Sequence, residues 1–295
     1  MESCCEPHAL TALDGTPLGW WRVAKEAAMR PQAMHLLLTH GTFSDRRVCM
    51  TMARAWAEQG HIAWVLEWRG HGHSAKPPQT YDMETVAEQD VMAALQALSR
   101  HVPAGRLCAA THSGGGLALT MALLRQPRYQ SLFHRMALFA CQACDAGGSP
   151  WRHARLRLAA WLTRWHGRIP ARLLRLGIHD ESHAMMAPWF RWNLDGAFLG
   201  HDGFDYAAHQ SSMHIPVMAI AGAADHFIAP PHACQRHWER YGAHPDSRWL
   251  LCGTGPGFSR DHGHASVMHS SAAQSEVMPR VMAWLLENAN AGQGR

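Results

Sequence analysis

The residues at 111–115, Thr-His-Ser-Gly-Gly, have the types and the spacing that nucleophilic catalysis uses. A short apolar run at 107–110 precedes them and an apolar, helix-periodic run at 117–124 follows, which predicts a strand, an abrupt turn and a helix. Such a turn lifts the hydroxyl of Ser113 out of the sheet and places it at a helix N-terminus, whose dipole favours developing negative charge. The chemistry would be attack of the serine oxygen on a carbonyl carbon.

The turn leaves no room for large side chains two positions before and after Ser113. Gly115 satisfies this condition downstream, whereas Thr111 is larger than the usual glycine upstream. Glycine-rich turns also produce such pentapeptides by chance. A catalytic role therefore needs a base, an acid and oxyanion donors at positions that this topology allows.

A serine hydroxyl is a poor nucleophile until a base removes its proton, and an acid must orient the base. Both are expected on late loops, because two late apolar runs end in suitable residues. The run at 216–221 leads into a small-residue turn, and the loop at 253–271 carries Asp-His-Gly-His at 261–264. The candidate bases are His262, His264 and the more distant His269, and the candidate acids are Asp225 and Asp145.

Alternating strands and helices must position these side chains. An opening hairpin is predicted at 9–13 and 18–24, because Asp14-Gly15 is a strong turn signal. Further strands are predicted at 34–39, 62–66, 107–110, 136–140, 216–221 and 249–252, and helices at 44–59, 82–98, 117–124, 231–241 and 274–286. This alternation predicts an α/β fold, a mainly parallel central sheet with helices on both faces, and ligands at the carboxyl ends of its strands.

The segment 145–213 breaks the alternation. It has no strand-like run but has amphipathic helical stretches at 155–165, 170–176 and 185–192, and it carries five of the thirteen tryptophans. We expect it to be a helical cap over the carboxyl edge of a core formed by 1–144 and 214–295. Its tryptophans could line an apolar substrate pocket or pack the cap onto the core. The candidates for substrate contacts are Phe43, His112, Trp189 and Trp192, although His112 is also expected to be packed within the turn.

Composition excludes several classes of protein. With 295 residues, 47% hydrophobic and 17% charged, the chain is a globular protein that can bury a large core. The net charge of +4 is small, and apart from a basic cluster at 152–175 the charges are scattered, which indicates a solvated basic face and no nucleic-acid footprint. Residues 1–7 lack a secretory pattern and no apolar run is long enough to cross a membrane, so a cytoplasmic protein without a membrane span is predicted.

The cysteines and histidines could in principle serve a metal site or a redox site. Cys141 and Cys144 have redox or zinc spacing, but no second pair of ligands follows, so a structural role is favoured. Groups such as 261–264, or His71 with His73, lack a well-placed third ligand. No metal and no organic cofactor is predicted.

Five short motifs occur in an order that is informative. They are His-Gly-Thr at 40–42, Arg-Gly-His-Gly-His-Ser at 69–74, the Ser113 turn, Gly-Ala-Ala-Asp at 222–225, and Gly-His at 263–264 ahead of a helix that ends in Ala-Trp-Leu at 283–285. Together they resemble the α/β-hydrolase superfamily over nearly the whole chain. Glu67 stands where that family often has aspartate, and Ser266 where some relatives have an acid.

The resemblance implies roles for these positions. Ser113 would be the nucleophile, Asp225 the orienting acid, and His264 the general base, because the family places its histidine directly after a glycine. The backbone N–H groups of Thr42 and Gly114 would form the oxyanion hole.

The implied protein is a lipase-like or carboxylesterase-like serine hydrolase that acts on a small-molecule acyl ester with a hydrophobic acyl or alcohol group. A serine in the turn argues against dehalogenase or epoxide-hydrolase chemistry, which need aspartate there. A thioesterase or acyltransferase, a peptidase or lactonase, and a non-catalytic binding protein remain alternatives.

Overall fold

An antiparallel hairpin opens the fold where the Asp-Gly turn predicts it. The computed structural model describes residues 4–289, so the first three residues of the 1–7 stretch lie outside it. The strands β1 (Cys4–Thr11) and β2 (Pro17–Ala24) pair in register from Cys4–Ala24 to Thr11–Pro17. Between them Gly15 adopts a φ of 89°, which glycine tolerates without a steric penalty.

The remaining strands follow the apolar runs closely. In chain order they are β3 (His35–Thr39), β4 (Ile62–Glu67), β5 (Leu107–His112), β6 (Phe133–Phe139), β7 (Arg168–Ile169), β8 (Glu181–Ser182), β9 (Val217–Gly222) and β10 (Arg248–Cys252). Within residues 4–289 the central sheet has eight strands in the order β1-β2-β4-β3-β5-β6-β9-β10. The pairs β1–β2 and β2–β4 are antiparallel and the others are parallel.

Helices connect the strands and cover both faces of the sheet. They are α1 (Arg47–Glu58), α2 (Met83–Thr85), α3 (Met92–Ser99), α4 (Gly114–Arg125), α5 (Pro150–His166), α6 (His183–Asp195), α7 (Tyr206–His209), α8 (Pro231–Glu239), α9 (Ser266–His269), α10 (Ser271–Glu276) and α11 (Met278–Leu286). A π-helical turn (Val86–Val91) joins α2 to α3, and short 3₁₀ turns lie at Glu26–Ala28, Pro127–Leu132 and Gln210–Ser212. Within residues 4–289, no helix combines the length and the apolar character that crossing a bilayer requires.

Alternate residues of the central strands point to opposite apolar layers. On β3, Leu37 packs into the layer that contains α3 and α4, whereas Leu36 and Leu38 pack into the layer that contains α1 and α11. Because both faces are covered, these parallel strands read as uninterrupted apolar sequence. The predicted α/β class is confirmed.

The segment between β6 and β9 is mainly helical but departs from prediction in two places. Helix α5 is capped at its N-terminus by Ser149, whose hydroxyl accepts a hydrogen bond from the Arg152 N–H, and at its C-terminus by Gly167, which has a φ of 71°. The predicted helix at 170–176 is wrong: these residues form turns, because the next N–H groups, of Ile178 and His179, donate to the Phe43 carbonyl. The expectation of no strand is also wrong, since β7 and β8 form a two-residue antiparallel pair.

Candidate active site

The turn between β5 and α4 holds Ser113 in a strained conformation. Its φ is 50° and its ψ is −120°, and its N–H donates to the Phe139 carbonyl 2.8 Å away. Glycine is needed at 115, where a Cβ atom would lie 2.5 Å from the His40 carbonyl oxygen. The side chain of Thr111, larger than the usual glycine, fits because the residue facing it, Gly116, has no side chain. A Cβ atom at position 116 would lie only 3.1 Å from Thr111 Oγ1. The glycine run therefore compensates for the departure upstream of Ser113.

Strain is repeated at neighbouring strand ends. Phe43, Ser113 and Ala140 have φ values of 66°, 50° and 48°, a region that residues with a Cβ atom rarely adopt. They follow β3, β5 and β6, which are adjacent in the sheet, and all three line the same cavity. Backbone strain of this kind is concentrated at functional sites in proteins.

Ser113, His264 and Asp225 form a continuous hydrogen-bonded chain. His264 Nε2 lies 3.0 Å from Ser113 Oγ, and His264 Nδ1 lies 2.6 Å from Asp225 Oδ2. The Asp225 carboxylate also accepts hydrogen bonds from the N–H groups of Ile228, at 3.1 Å, and Ala229, at 3.0 Å. Burial alone would raise the pKa of Asp225, but the hydrogen bond to His264, the charge of His264 and the backbone N–H groups of Ala229 and Phe227 lower it. Asp225 is therefore ionised and fixed against the imidazole.

The competing candidates lie elsewhere. His262 is fully buried, its Nε2 faces the Glu276 carboxylate at 3.8 Å, and its carbonyl accepts a hydrogen bond from Ala224 N–H. Asp145 accepts two hydrogen bonds from Arg240, at 2.5 and 3.1 Å. Neither side chain reaches Ser113. His269 lines a neighbouring cavity together with His264, and burial lowers its pKa.

The two residues whose backbone N–H groups are the candidate oxyanion donors lie beside Ser113. Thr42 and Gly114 both line the cavity onto which Ser113 opens, and in the described part of the chain neither N–H donates a hydrogen bond. The loop of Thr42 is shaped by His40, whose Nδ1 donates to the Gly41 carbonyl at 2.8 Å and whose Nε2 accepts from the Trp68 N–H at 3.2 Å. Burial lowers the pKa of His40 well below its usual value, so the ring is neutral and its tautomer is defined.

A buried ion pair ties the same loop to the 145–213 segment. Glu181 Oε1 accepts hydrogen bonds from Phe43 N–H at 3.0 Å and from His71 Nε2 at 2.9 Å. His71 Nδ1 donates to the Arg69 carbonyl at 3.1 Å, so both ring nitrogens face acceptors. Burial would lower the pKa of His71, but the Glu181 charge and these hydrogen bonds raise it. Sequence reasoning missed Glu181, because no local motif marks it.

Two cavities adjoin the hydrogen-bonded pair of Ser113 and His264; the first is mainly apolar, whereas the second is also lined by Asp45, Arg47 and three histidines. The first, about 480 Å³, has Ser113, Thr42 and Gly114 at one end. Its walls come from strand ends, from Leu117 on α4, and from the 145–213 segment, including Ala159, Leu162, Met186, Trp189 and Phe190. The second, about 380 Å³, contains His264 and shares Thr42, Phe43, Leu176 and Ile228 with the first. A larger cavity of about 690 Å³ lies on the other side of α6, is lined by acidic and arginine side chains, and does not include Ser113.

Of the four residues predicted to contact substrate, two line the cavity beside Ser113, one lines the second cavity and one lines neither. Phe43 and Trp189 line the cavity beside Ser113. His112 lines the second cavity, but it is buried and its Nε2 donates to the His264 carbonyl at 2.9 Å. Burial lowers the pKa of His112 to about 3, so it is neutral and positions the backbone of His264. The expectation for Trp192 is wrong: its indole N–H donates to the Leu199 carbonyl at 2.7 Å and its ring packs on Phe198, away from the cavity.

The cysteines and histidines are used in packing and hydrogen bonding. Cys141 and Cys144 are buried free thiols, and burial raises the pKa of Cys144 to about 12, so it is not a thiolate at neutral pH. His71 and His73 contact different carboxylates, Glu181 and Glu67. Within residues 4–289, no group of three or more His, Cys, Asp or Glu side chains is arranged to hold a metal ion.

The family of the chain follows from a match over slightly more than half of it. A family model described as serine aminopeptidase, S33, matches residues 30–187, which is more than half of the chain and includes Thr42 and Ser113. The chain belongs to this family of hydrolases. The match to this hydrolase family ends before Asp225 and His264, so their place beside Ser113 rests on the geometry above. No curated protein sequence matches the chain significantly.

Solved structures share the fold at low sequence identity. A malate-bound thermophilic esterase from Thermogutta terrifontis is 17% identical, with a TM-score of 0.61 over 95% of this chain and 98% of its own. An esterase from Exiguobacterium antarcticum is 14% identical, with a TM-score of 0.65 over 95% and 99%. An α/β hydrolase from Penicillium sp. sh18 is 16% identical, with a TM-score of 0.65 over 96% and 98%. The predicted α/β-hydrolase fold is thereby confirmed.

Proposed function

We propose that this hydrolase cleaves carboxylic esters that carry a hydrophobic acyl or alcohol group. The observation that carries the proposal is the pairing of Ser113 Oγ with His264 Nε2 at 3.0 Å, at the end of an apolar cavity of about 480 Å³. A cavity of this size and character suits an acyl chain or an apolar alcohol.

In the proposed reaction His264 takes the hydroxyl proton as the Ser113 oxygen attacks the ester carbonyl. The Asp225 carboxylate holds the imidazole by Nδ1–H and stabilises the positive charge that forms. The tetrahedral oxyanion is bound by the N–H groups of Thr42 and Gly114. His264 then protonates the departing alcohol, and water, activated by the same imidazole, releases the acid from the acyl-enzyme.

We also propose that residues 145–213 act as a cap that shapes the substrate site. Ala159 and Leu162 on α5 and Trp189 on α6 supply one wall of the cavity, whereas the strand ends supply the other. Glu181 fixes the loop of Phe43, which adjoins the proposed oxyanion donor Thr42. The cap would thus set substrate size and hold the oxyanion loop.

An ester fits the cavity better than a peptide with a free N-terminus. An aminopeptidase must bind the α-ammonium group of its substrate, and a carboxylate is the side chain that does this. The cavity beside Ser113 is lined by no Asp or Glu among the described residues, and its one charged lining group is the cationic Arg155. The adjoining cavity that contains His264 has a carboxylate, Asp45, but this group is already paired with Arg47 and His179. Desolvating an ammonium group there without a partner would oppose binding.

Active-site labelling tests the proposal. We expect a fluorophosphonate probe to label the wild-type protein and not Ser113→Ala, and p-nitrophenyl butyrate hydrolysis to fall at least about a thousandfold in that variant. His262→Ala is the matched control for His264→Ala, and only the latter is expected to abolish labelling. Labelling of a residue other than Ser113 would refute the nucleophile, and faster turnover of acyl-CoA than of oxygen esters would favour a thioesterase.

A further inference from the structure

Helix α5 exposes apolar side chains on the face opposite the one that it buries. At about 100° per residue, Trp151, Leu158, Leu162 and Trp165 lie within roughly 60° of one another around the helix axis. Leu156, the one buried residue of this helix, lies on the opposite side. The tryptophans at 151 and 165 are each 75% exposed. An ordinary surface helix has polar residues on this face.

The exposed face continues into the turn that follows β7. Leu173 is 80% exposed and Leu174 is 54% exposed. Leu174 and Leu162 both line the cavity beside Ser113, so the turn and the helix share one rim of that cavity. We call the exposed side chains of Trp151, Leu158, Trp161, Trp165, Leu173 and Leu174 the rim face. Contiguous apolar surface of this kind marks an interaction site.

The charge around the rim face has one sign. From 146 to 179 the sequence contains seven arginines and no aspartate or glutamate. Among the described residues, Arg168 is the only one of the seven that forms an ion pair, with Asp180 at 3.4 Å. Arg157, Arg164 and Arg172 are exposed beside the apolar residues. Their charge is therefore available to an anionic surface.

We propose that the rim face docks on the surface of an anionic lipid bilayer. Exposed tryptophan and leucine side chains would enter the boundary between headgroups and acyl chains, as an interfacial amphipathic helix does. The arginines would contact lipid phosphates, with their apolar stems along the same boundary. Leu162 and Leu174, which line the cavity and are 41% and 54% exposed, would then face the lipid. Exposed tryptophans and leucines beside arginines without ion pairs suit the surface of a lipid bilayer better than the surface of a folded partner protein.

Vesicle flotation tests this docking independently of catalysis, because every arm uses Ser113→Ala protein. We expect it to bind vesicles of phosphatidylcholine mixed with phosphatidylglycerol, to bind pure phosphatidylcholine vesicles at least about tenfold less well, and to lose binding as salt rises. Trp161→Ser/Trp165→Ser should weaken binding at least about tenfold. Arg157→Gln/Arg164→Gln should weaken it roughly fivefold for each arginine removed.

Matched controls separate docking from loss of fold. Leu13→Ser/Leu251→Ser removes exposed apolar side chains elsewhere, and Arg54→Gln/Arg100→Gln removes exposed arginines on α1 and after α3. Both are expected to bind like the parent, and all variants with Ser113 restored should hydrolyse p-nitrophenyl butyrate equally. Failure to bind either vesicle, or equal binding by the rim-face variants, would overturn the proposal. So would a dimer in light scattering that Trp161→Ser/Trp165→Ser converts to monomer, because a second copy would then cover the face.

Discussion

At the scale of single residues, Asp225 shows how the carboxylate beside His264 is held in place. The carboxylate contacts His264 on one oxygen, and backbone N–H groups occupy the rest of its hydrogen-bonding capacity. It is buried, so an uncompensated charge there would be costly. Its position is thus set by the turn after β9 and does not depend on the histidine alone.

Replacing Asp225 with asparagine should affect the reaction more than the fold. The amide keeps one acceptor for the backbone donors, but its NH₂ group favours the wrong tautomer of His264. We expect kcat for p-nitrophenyl butyrate to fall about 10⁴-fold, with an unchanged circular dichroism spectrum. Asp261→Asn, at an exposed loop position, is the control. A loss of less than about tenfold would contradict the role of Asp225.

Gly115→Ala tests the geometry of the turn that carries Ser113. The new methyl group would lie 2.5 Å from the His40 carbonyl oxygen, and this backbone atom cannot move without displacing the loop of Thr42. Overpacking of this kind costs about 1–3 kcal/mol of unfolding free energy, measurable by urea denaturation, and we expect kcat to fall as well. Gly148→Ala, where the nearest atom is 3.5 Å away, should change neither quantity.

The sequence located the side chains of the hydrogen-bonded Ser113–His264–Asp225 chain better than it located the side chains that line the cavity. Ser113, His264 and Asp225 each follow a strand and stand in a short motif, so local pattern locates them. Trp189 and Trp192 are both apolar, buried and on α6, and only the surroundings decide which one reaches the cavity. Tertiary packing of this kind leaves no periodic signal.

At the scale of elements, the His71–Glu181 pair connects the loop after β4, the loop after β3 and the strand β8. His71 has a pKa raised above its usual value of about 6.5. A raised pKa means that the folded state binds the proton more tightly than the unfolded state does. The stabilisation is therefore complete below about pH 6.5 and is lost as pH rises through the folded pKa.

Substitution of His71 with glutamine should reveal this dependence. The variant leaves Glu181 buried without its cation, and we expect a loss of about 3 kcal/mol of unfolding free energy at pH 6. The difference from wild type should be smaller at pH 9, because stabilisation by a raised pKa is lost as pH rises through the folded pKa. Urea denaturation at both pH values measures it, with His73→Gln as control, since that side chain is 59% exposed. A difference that is the same at both pH values would refute a charged His71.

Elements differ in how far their sequence determines them. The buried parallel strands are apolar runs that end in turn residues, so their prediction needs only local pattern. The stretch 170–176 has helical spacing of its apolar residues, yet Arg175 has a φ of 55°. Gly177 packs so closely against Phe43 that a Cβ atom on this glycine would lie 2.1 Å from the Phe43 carbonyl oxygen. Long-range hydrogen bonds to Phe43 override the helical preference there.

At the scale of the whole molecule, the sheet and the 145–213 segment divide the work of forming the site. The loops after the strands supply Ser113, Asp225 and His264, and the segment supplies much of the lining of the cavity beside Ser113. Substitutions in the segment should therefore change which substrate is accepted and leave the chemistry intact.

Narrowing the cavity from α5 tests this division. Ala159 lines the cavity and is half-buried, so Ala159→Phe would fill part of the 480 Å³. We expect kcat/KM for p-nitrophenyl decanoate to fall at least about tenfold, while that for the acetate changes less than about twofold. Ala154→Phe, exposed on the same helix, should change neither value. An equal fall for both esters would indicate damage to the triad.

The left-handed backbone at Phe43, Ser113 and Ala140 has a consequence for the evolution of this molecule. Each such residue costs on the order of 1–3 kcal/mol, and the surrounding packing must sustain all three at one edge of the sheet. Selection for heat resistance alone would favour glycine or a relaxed turn at these positions. Substitutions at these positions that raise the melting temperature are expected to lower kcat. Stabilising substitutions are therefore better placed in the antiparallel hairpin at the far end of the sheet.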